Sequence, residues 1–235
     1  MALPFFYITP ADAQTNTIVL DEDTSRHVVQ VLRMQAGESL HLTGGEGELL
    51  TAVISDAHKK HCSVTVEKRE TVARSGKDNA IGISILKNSN RFEWFLEKAT
   101  ELGIREIFPL LCDRTEKEKF RQDRMQQICI SAMLQSKQCW LPVLHEPVLF
   151  EVLLTHHNYE QRFIAHCAEG DKPALTKALR DTSSSRLLLI GPEGDFSETE
   201  IQHALEAGLE AVSLGDTRLR TETAGVTGAV LLCHI

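Results

Sequence analysis

At 235 residues, 42% apolar and 25% charged, the chain has the composition of a soluble folded protein, with room for one large domain or a typical domain plus a small one. It contains no apolar run of about 18 residues, which excludes a helical membrane span, and Met1-Ala2-Leu3-Pro4-Phe5-Phe6-Tyr7 lacks the basic and long apolar stretches of a signal peptide. The net charge of −8 excludes a uniformly basic nucleic-acid binder, although the charge divides as −3, +2 and −7 over residues 1–75, 76–140 and 141–235.

Residues 1–70 read as β-rich. Phe5–Ile8, Thr17–Leu20, Leu40–Thr43, Leu49–Ile54 and Ser63–Val66 are short apolar or alternating runs, and Gly44–Gly47 fits a hairpin turn. One helix interrupts them, with Asp23 or Thr24 as its cap and Val28, Val29, Val31 and Leu32 as its apolar face. Several short strands with one helix predict a small barrel-like domain. His58, His61 and Cys62 have metal-ligating chemistry, but no second ligand pair follows at a fitting spacing, so a polar turn is expected and no metal. The polar stretch 70–79 is the best linker, and it divides the chain into domains at 1–72 and 73–235.

From Ala80 the pattern alternates strand and helix. Ile81–Leu86 is a strand, Lys87–Asn90 a turn, and Asn90 with Glu93 resembles an N-cap pairing for a helix through Phe92, Phe95, Leu96 and Ala99 that stops near Gly103. Ile104–Cys112 is a strand containing Pro109, which predicts an edge position or an early end. A long helix pattern covers 117–138. Val143–Leu144 is a short strand, Phe150–Leu154 a short helix, and Phe163–Cys167 another strand. This alternation predicts a mostly parallel sheet with helices on both faces. Arg114, Lys117, Lys119, Arg121 and Arg124 crowd together in the middle of the chain. They suit phosphate contact, or equally a solvated helix face, because Glu116, Glu118 and Asp123 are interleaved.

The last fifty residues carry the chemistry. Leu187–Ile190 and Ala211–Leu214 are short apolar runs that read as buried parallel strands. Each ends in glycine and feeds a helix. The first turn is Gly191-Pro192-Glu193-Gly194, after which Ser197 and Glu200 fit a capping box. The second, Gly215 to Thr223, gathers Arg218, Arg220, Thr221, Glu222 and Thr223 in one loop. In open α/β sheets ligands sit beyond the carboxyl ends of the strands, so two such turns can frame one pocket. Small residues at 224, 225, 228 and 229 allow close packing on a neighbouring helix or on a partner chain. Dinucleotide, P-loop, zinc-protease and nucleophile-elbow motifs are all absent. The six cysteines are scattered without a Cys-x-x-Cys pair, as expected of reduced thiols in a cytoplasmic protein.

"LLLIGPEGDFSETEI" followed by "SLGDTRLRTETA" closely resembles the RsmE family, uridine-N3 methyltransferases of 16S ribosomal RNA in the SPOUT class. "KNSNRFEWFLEKATELGIREIFPL" resembles that family's first strand–helix–strand, and "DTSRHVVQVLRMQAGESLHL" its small PUA-like domain. The resemblance implies a SPOUT-type sheet whose C-terminal segment threads a trefoil knot, an exception to the rule against knots. It further implies S-adenosylmethionine bound at the knot without a metal, a homodimer, and 16S rRNA or the small ribosomal subunit as partner. Carried over by position, Ile190, Gly191 and Gly194 form one wall of the cofactor pocket, and Leu214, Gly215 and Leu219 the other. Thr221, Thr223 and Ala224 complete it, and His166 lines it from the preceding loop. Arg220 is expected to steady negative charge on the base or hold a nearby phosphate, and Glu222 to orient Arg220 or accept a proton, directly or through water; a purely structural pairing of the two at the helix start is the alternative. Arg91, Arg114 and Arg121 are expected RNA-phosphate contacts. Two departures stand out: Asp195 and Asp216 replace the family's usual glycine and proline. A SPOUT enzyme acting on another RNA such as tRNA, or a non-catalytic ribosome-assembly factor, are the rival readings.

Overall fold

A computed structural model describes residues 3–74, 78–116, 119–155, 158–180 and 184–234. They form two units, residues 1–74 with 133–141, and residues 75–132 with 142–235. Lys117, the middle of the linker (75–77) and part of the 181–185 loop lie outside the described residues.

In the first unit, β1 (Phe5–Tyr7), helix α1 (Pro10–Ala13), β2 (Thr17–Val19), helix α2 (Glu22–Arg26), β3 (Ser39–Thr43), β4 (Glu48–Asp56) and β5 (Ser63–Thr71) build a curled sheet in the order β1-β3-β4-β5-β2. Its core is the inward set Leu40, Leu42, Leu50, Ile54 and Val64, each at most 1% exposed. α2 is capped by Asp21, not by Asp23 or Thr24: the Asp21 carboxylate accepts the N–H groups of both later residues. A π-helical turn, His27–Val31, follows and rotates the expected apolar face, so Val28 is buried while Val31 and Leu32 are exposed. The His58 and His61 rings stack 3.5 Å apart, and among the described residues no group of ligands could hold a metal. Residues 139–141 dock on the β3–β4 turn, where Cys139 O accepts from Gly47 N and Leu141 N donates to Gly45 O.

The second unit holds β6 (Asn79–Ser84), α3 (Ser89–Glu101), β7 (Glu106–Leu111), α4 (Gln122–Gln135, which runs into the first unit), β8 (Val143–Leu144), β9 (Val148–Leu149), α5 (Phe150–Leu154), β10 (Gln161–Ala165), α6 (Leu175–Ala178), β11 (Arg186–Ile190), α7 (Glu198–Glu206), β12 (Glu210–Val212) and α8 (Thr221–His234). Every strand pairing in it is parallel, in the order β12-β10-β11-β6-β7-β8, with β9 also on β7. This is the mostly parallel sheet with helices on both faces that the alternation predicts, and β6 and β11 are buried along their whole length. One face is covered by α5 and α7, where Phe150, Leu153 and Ala204 meet Ala80, Phe108 and Leu189. The other is covered by α3 and α8. A Cβ on Gly225 would stand 2.6 Å from Phe95 and 2.9 Å from Ile83, so the small-residue stripe of α8 serves packing within this chain.

Three local expectations are corrected. Asn88, not Asn90, caps α3, because the Asn88 side chain accepts from Asn90 N, and Glu93 instead pairs with Arg124 at 2.6 Å. α4 starts at Gln122 rather than 117, with Met125 N to Arg121 O as its opening bond. Pro109 lies within β7 between two neighbours, not at an edge. Leu110 O faces β6 and Ile107 O faces β8, so the missing N–H of Pro109 points into the gap between β8 and β9.

Candidate active site

Register places the site. Ala165 on β10 pairs Ile190 on β11 and Val212 on β12, so the loops after these strands leave the sheet side by side. β10 ends at Ala165, and His166 and Cys167 therefore belong to the loop rather than to the strand. The 191–197 turn is closed by Asp195 N donating to Pro192 O at 2.9 Å, and it ends in a complete capping box. Ser197 Oγ accepts from Glu200 N, and Glu200 Oε2 accepts from Ser197 N at 2.8 Å. The 213–220 turn is held by Ser213 Oγ, which accepts from Gly215 N at 3.2 Å. Gly215 has φ +149, a conformation that favours glycine, and open space where a side chain would stand.

Between these turns lie two adjoining cavities, of about 420 and 410 Å³. The first is lined by Arg91, Ile190, Gly191, Asp195, Arg220 and Thr221 among others. The second is lined by His166, Lys172, Leu214, Gly215, Asp216 and Thr217. Ala165, Cys167, Arg218, Leu219 and Ala224 border both. The lining mixes small and apolar residues with charges of both signs, Arg91, Lys172, Arg218 and Arg220 alongside Glu193, Asp195 and Asp216. Burial pushes the His166 imidazole below its ordinary pKa; the Lys172 charge adds to this and Asp195 opposes it. His166 Nδ1 is buried with no hydrogen-bond partner among the described residues.

Of the residues expected from sequence, Ile190, Gly191, Leu219, Arg220, Thr221 and Ala224 line the first cavity, and His166, Leu214 and Gly215 the second. Gly194 and Thr223 line neither. Gly194 O accepts instead from Arg114 Nη1 at 2.7 Å, and the same guanidinium reaches Phe196 O, so Arg114 straps the turn in place. Arg121 is exposed and away from both cavities. Glu222 is buried and does not line the cavity; its Oε1 lies 3.6 Å from Arg91 Nε, and its Oε2 has no hydrogen-bond partner among the described residues. Among the described residues its ionic neighbour is thus Arg91, not Arg220, because the second position of α8 points back toward α3, where Arg91 sits. Arg218, Lys172 and Cys167 were not singled out from sequence as lining residues. Arg218 was legible as one of two arginines in the loop, whereas the other two lie on a loop whose proximity depends on the order of strands in the sheet.

The model of the RNA methyltransferase domain matches residues 75–232, and that of the RNA methyltransferase PUA domain matches residues 20–67. The fold is similar to a probable rRNA-methyltransferase of Porphyromonas gingivalis, with a TM-score of 0.90 and 37% identity over 97% of this chain and 95% of that one. It is also similar to a ribosomal RNA small subunit methyltransferase E of Neisseria gonorrhoeae, solved bound to S-adenosyl methionine, with a TM-score of 0.83 and 28% identity over 97% and 95% of the two chains. A Rickettsia conorii ribosomal RNA small subunit methyltransferase E is 26% identical over 224 residues, 94% of this chain and 91% of that protein. With two thirds of its length matched by the catalytic model and a PUA domain ahead of it, the chain belongs to the RNA methyltransferase family.

Proposed function

We propose that the chain transfers a methyl group from S-adenosylmethionine to N3 of a uridine in the 16S RNA of the small ribosomal subunit. The observation that carries this reading is the pair of adjoining cavities framed by two glycine turns, with Arg220 at the rim, in a chain of this family. Relatives named for the small-subunit RNA, one of them bound to S-adenosyl methionine, support the substrate and the cofactor.

The residues present fit that cofactor. Leu214 and Leu219 offer apolar surface to a purine ring, and the bare backbone of Gly191 and Gly215 offers hydrogen-bonding groups to ring and ribose. His166 Nδ1 is an orphaned buried polar atom at the second cavity, available to a polar ligand group. Thr221 and Ala224 close the pocket where α8 starts. When bound, the cofactor supplies an electrophilic methyl on a sulfonium.

Uridine N3 must pass its proton to solvent water before it attacks, and a cation beside the base stabilises the anion left behind. Arg220 takes that role: it is exposed at the cavity rim and free to meet a base entering from solvent. Glu222 orients Arg91 rather than Arg220, and its buried carboxylate acts through that neighbour instead of touching the base. Arg91 and Arg121 face phosphate, with residues 1–72 as the RNA-docking domain and 73–235 as the catalytic one. Trp94 on α3 and Val230 on α8, 43% and 39% exposed, provide apolar surface for a homodimer. The Arg220→Ala variant is expected to lose methyl transfer while binding S-adenosylmethionine with nearly unchanged affinity in calorimetry. Retained turnover contradicts the assignment.

A further inference from the structure

Asp195 stands in the left-handed region, at φ 65. Aspartate tolerates this conformation better than most residues, and glycine takes it most easily. Glycine offers no side-chain acceptor, whereas both oxygens of Asp195 are engaged. Oδ2 accepts the N–H of Cys167 at 2.7 Å and Oδ1 accepts the N–H of Phe196 at 2.9 Å. The first of these bonds joins the turn after β11 to the loop after β10. That loop carries His166, Cys167 and Lys172, all on the wall of the second cavity, while Asp195 itself borders the first. Cys167 is exposed, so its N–H gains a charged acceptor where water is the alternative.

We propose that Asp195 is a positioning residue, a clasp that fixes the 166–172 loop against the 191–196 turn and so pre-forms the wall shared by the two cavities. The proposal rests on reading those cavities as the S-adenosylmethionine site. A carboxylate near a sulfonium also suits direct charge pairing, a role that a loss confined to the sulfonium ligand would mark; the two backbone donors on these oxygens tie the carboxylate to the loop. A loop fixed in advance lowers the ordering cost of binding. The clasp therefore acts on cofactor affinity irrespective of the charge on sulfur.

Calorimetry with S-adenosylmethionine and with the uncharged-sulfur product S-adenosylhomocysteine tests this, alongside amide hydrogen exchange at Cys167. Asp195→Gly keeps φ and removes both acceptors. It should weaken both ligands by about tenfold, the worth of one charge-assisted hydrogen bond. It should also speed exchange at Cys167, raise the KM for the cofactor with kcat nearly kept, and leave the unfolding midpoint within a few degrees. Asp195→Asn, which retains one acceptor oxygen, should fall between. Unchanged affinity in Asp195→Gly, or a loss confined to the sulfonium ligand, overturns the clasp; so does unchanged exchange at Cys167. If the wild-type chain binds neither ligand, the cofactor reading itself fails, and the clasp fails with it as a cofactor device.

Discussion

Burying a carboxylate is costly unless a cation or hydrogen-bond donors meet it, and Glu222 is buried with Arg91 3.6 Å away on one oxygen and, among the described residues, no hydrogen-bond donor on the other. Removing the cation leaves the charge uncompensated. Arg91→Ala should therefore destabilise the fold by roughly 1–2 kcal/mol, a figure discounted because Arg91 is partly solvated. Glu222→Gln removes the charge in place and should cost less stability, yet lower kcat by freeing Arg91 to move. Thermal unfolding and single-turnover rates on both variants check this; equal destabilisation with unaltered turnover would leave the pair a structural one. His166 gives a pH signature. Its folded pKa lies below the ordinary 6.5, so as pH falls through and below that value the unfolded chain binds a proton that the folded one does not. Stability is thus lost on acidification until the folded ring itself titrates. His166→Gln should flatten the fall in unfolding free energy as pH drops from neutral through the ordinary imidazole pKa of 6.5, and an unchanged slope would contradict the assignment.

Element ends decide how the loops are held. The α7 cap is satisfied several times over: besides the capping box, Ser197 Oγ donates to Asp113 Oδ2 at 2.6 Å and Glu200 Oε1 accepts from Asp113 N at 2.9 Å. Ser197→Ala should cost about 1 kcal/mol and Glu200→Ala, which strands the part-buried N–H groups of Asp113 and Ser197, about 1–2 kcal/mol by denaturant unfolding. A loss below a few tenths in both would show that the cap does not hold the turn. This cap was legible because its signals are local, two residue types at fixed spacing. The α3 start was read two residues late, since Asn88 and Asn90 are equally good caps and the choice depends on where β6 releases the chain. The π turn at His27–Val31 carries no residue signature at all, and it exposes two of the four residues assigned to the apolar face. Site residues on a single turn were readable from sequence, as Gly191, Gly215 and Arg220 show. The neighbour of Glu222 was not, because Arg91 is supplied by a helix more than a hundred residues earlier in the chain.

Across the whole molecule, the C-terminal helix is locked by long-range bonds. Leu232 O accepts from Asn79 Nδ2 at 2.7 Å and from Arg186 Nη1 at 3.2 Å, side chains at the starts of β6 and β11. Leu232 is itself fully buried. Deleting residues 232–235 should cost roughly 3 kcal/mol or more, because a core leucine and two buried hydrogen bonds go together. Thermal unfolding would reveal it, and a truncated chain as stable as the full one would show that α8 is held by its first turns alone. Alternating strands and helices announced the parallel sheet, but strand order is a long-range property, and it is the order that brings β10, β11 and β12 to one edge of the site. The most direct test of the whole account is transfer of labelled methyl from S-adenosylmethionine to small ribosomal subunits lacking the modification, with mass mapping of the product. The account predicts a single 3-methyluridine in the 16S RNA, and label in another RNA, on another base atom, or nowhere would contradict it.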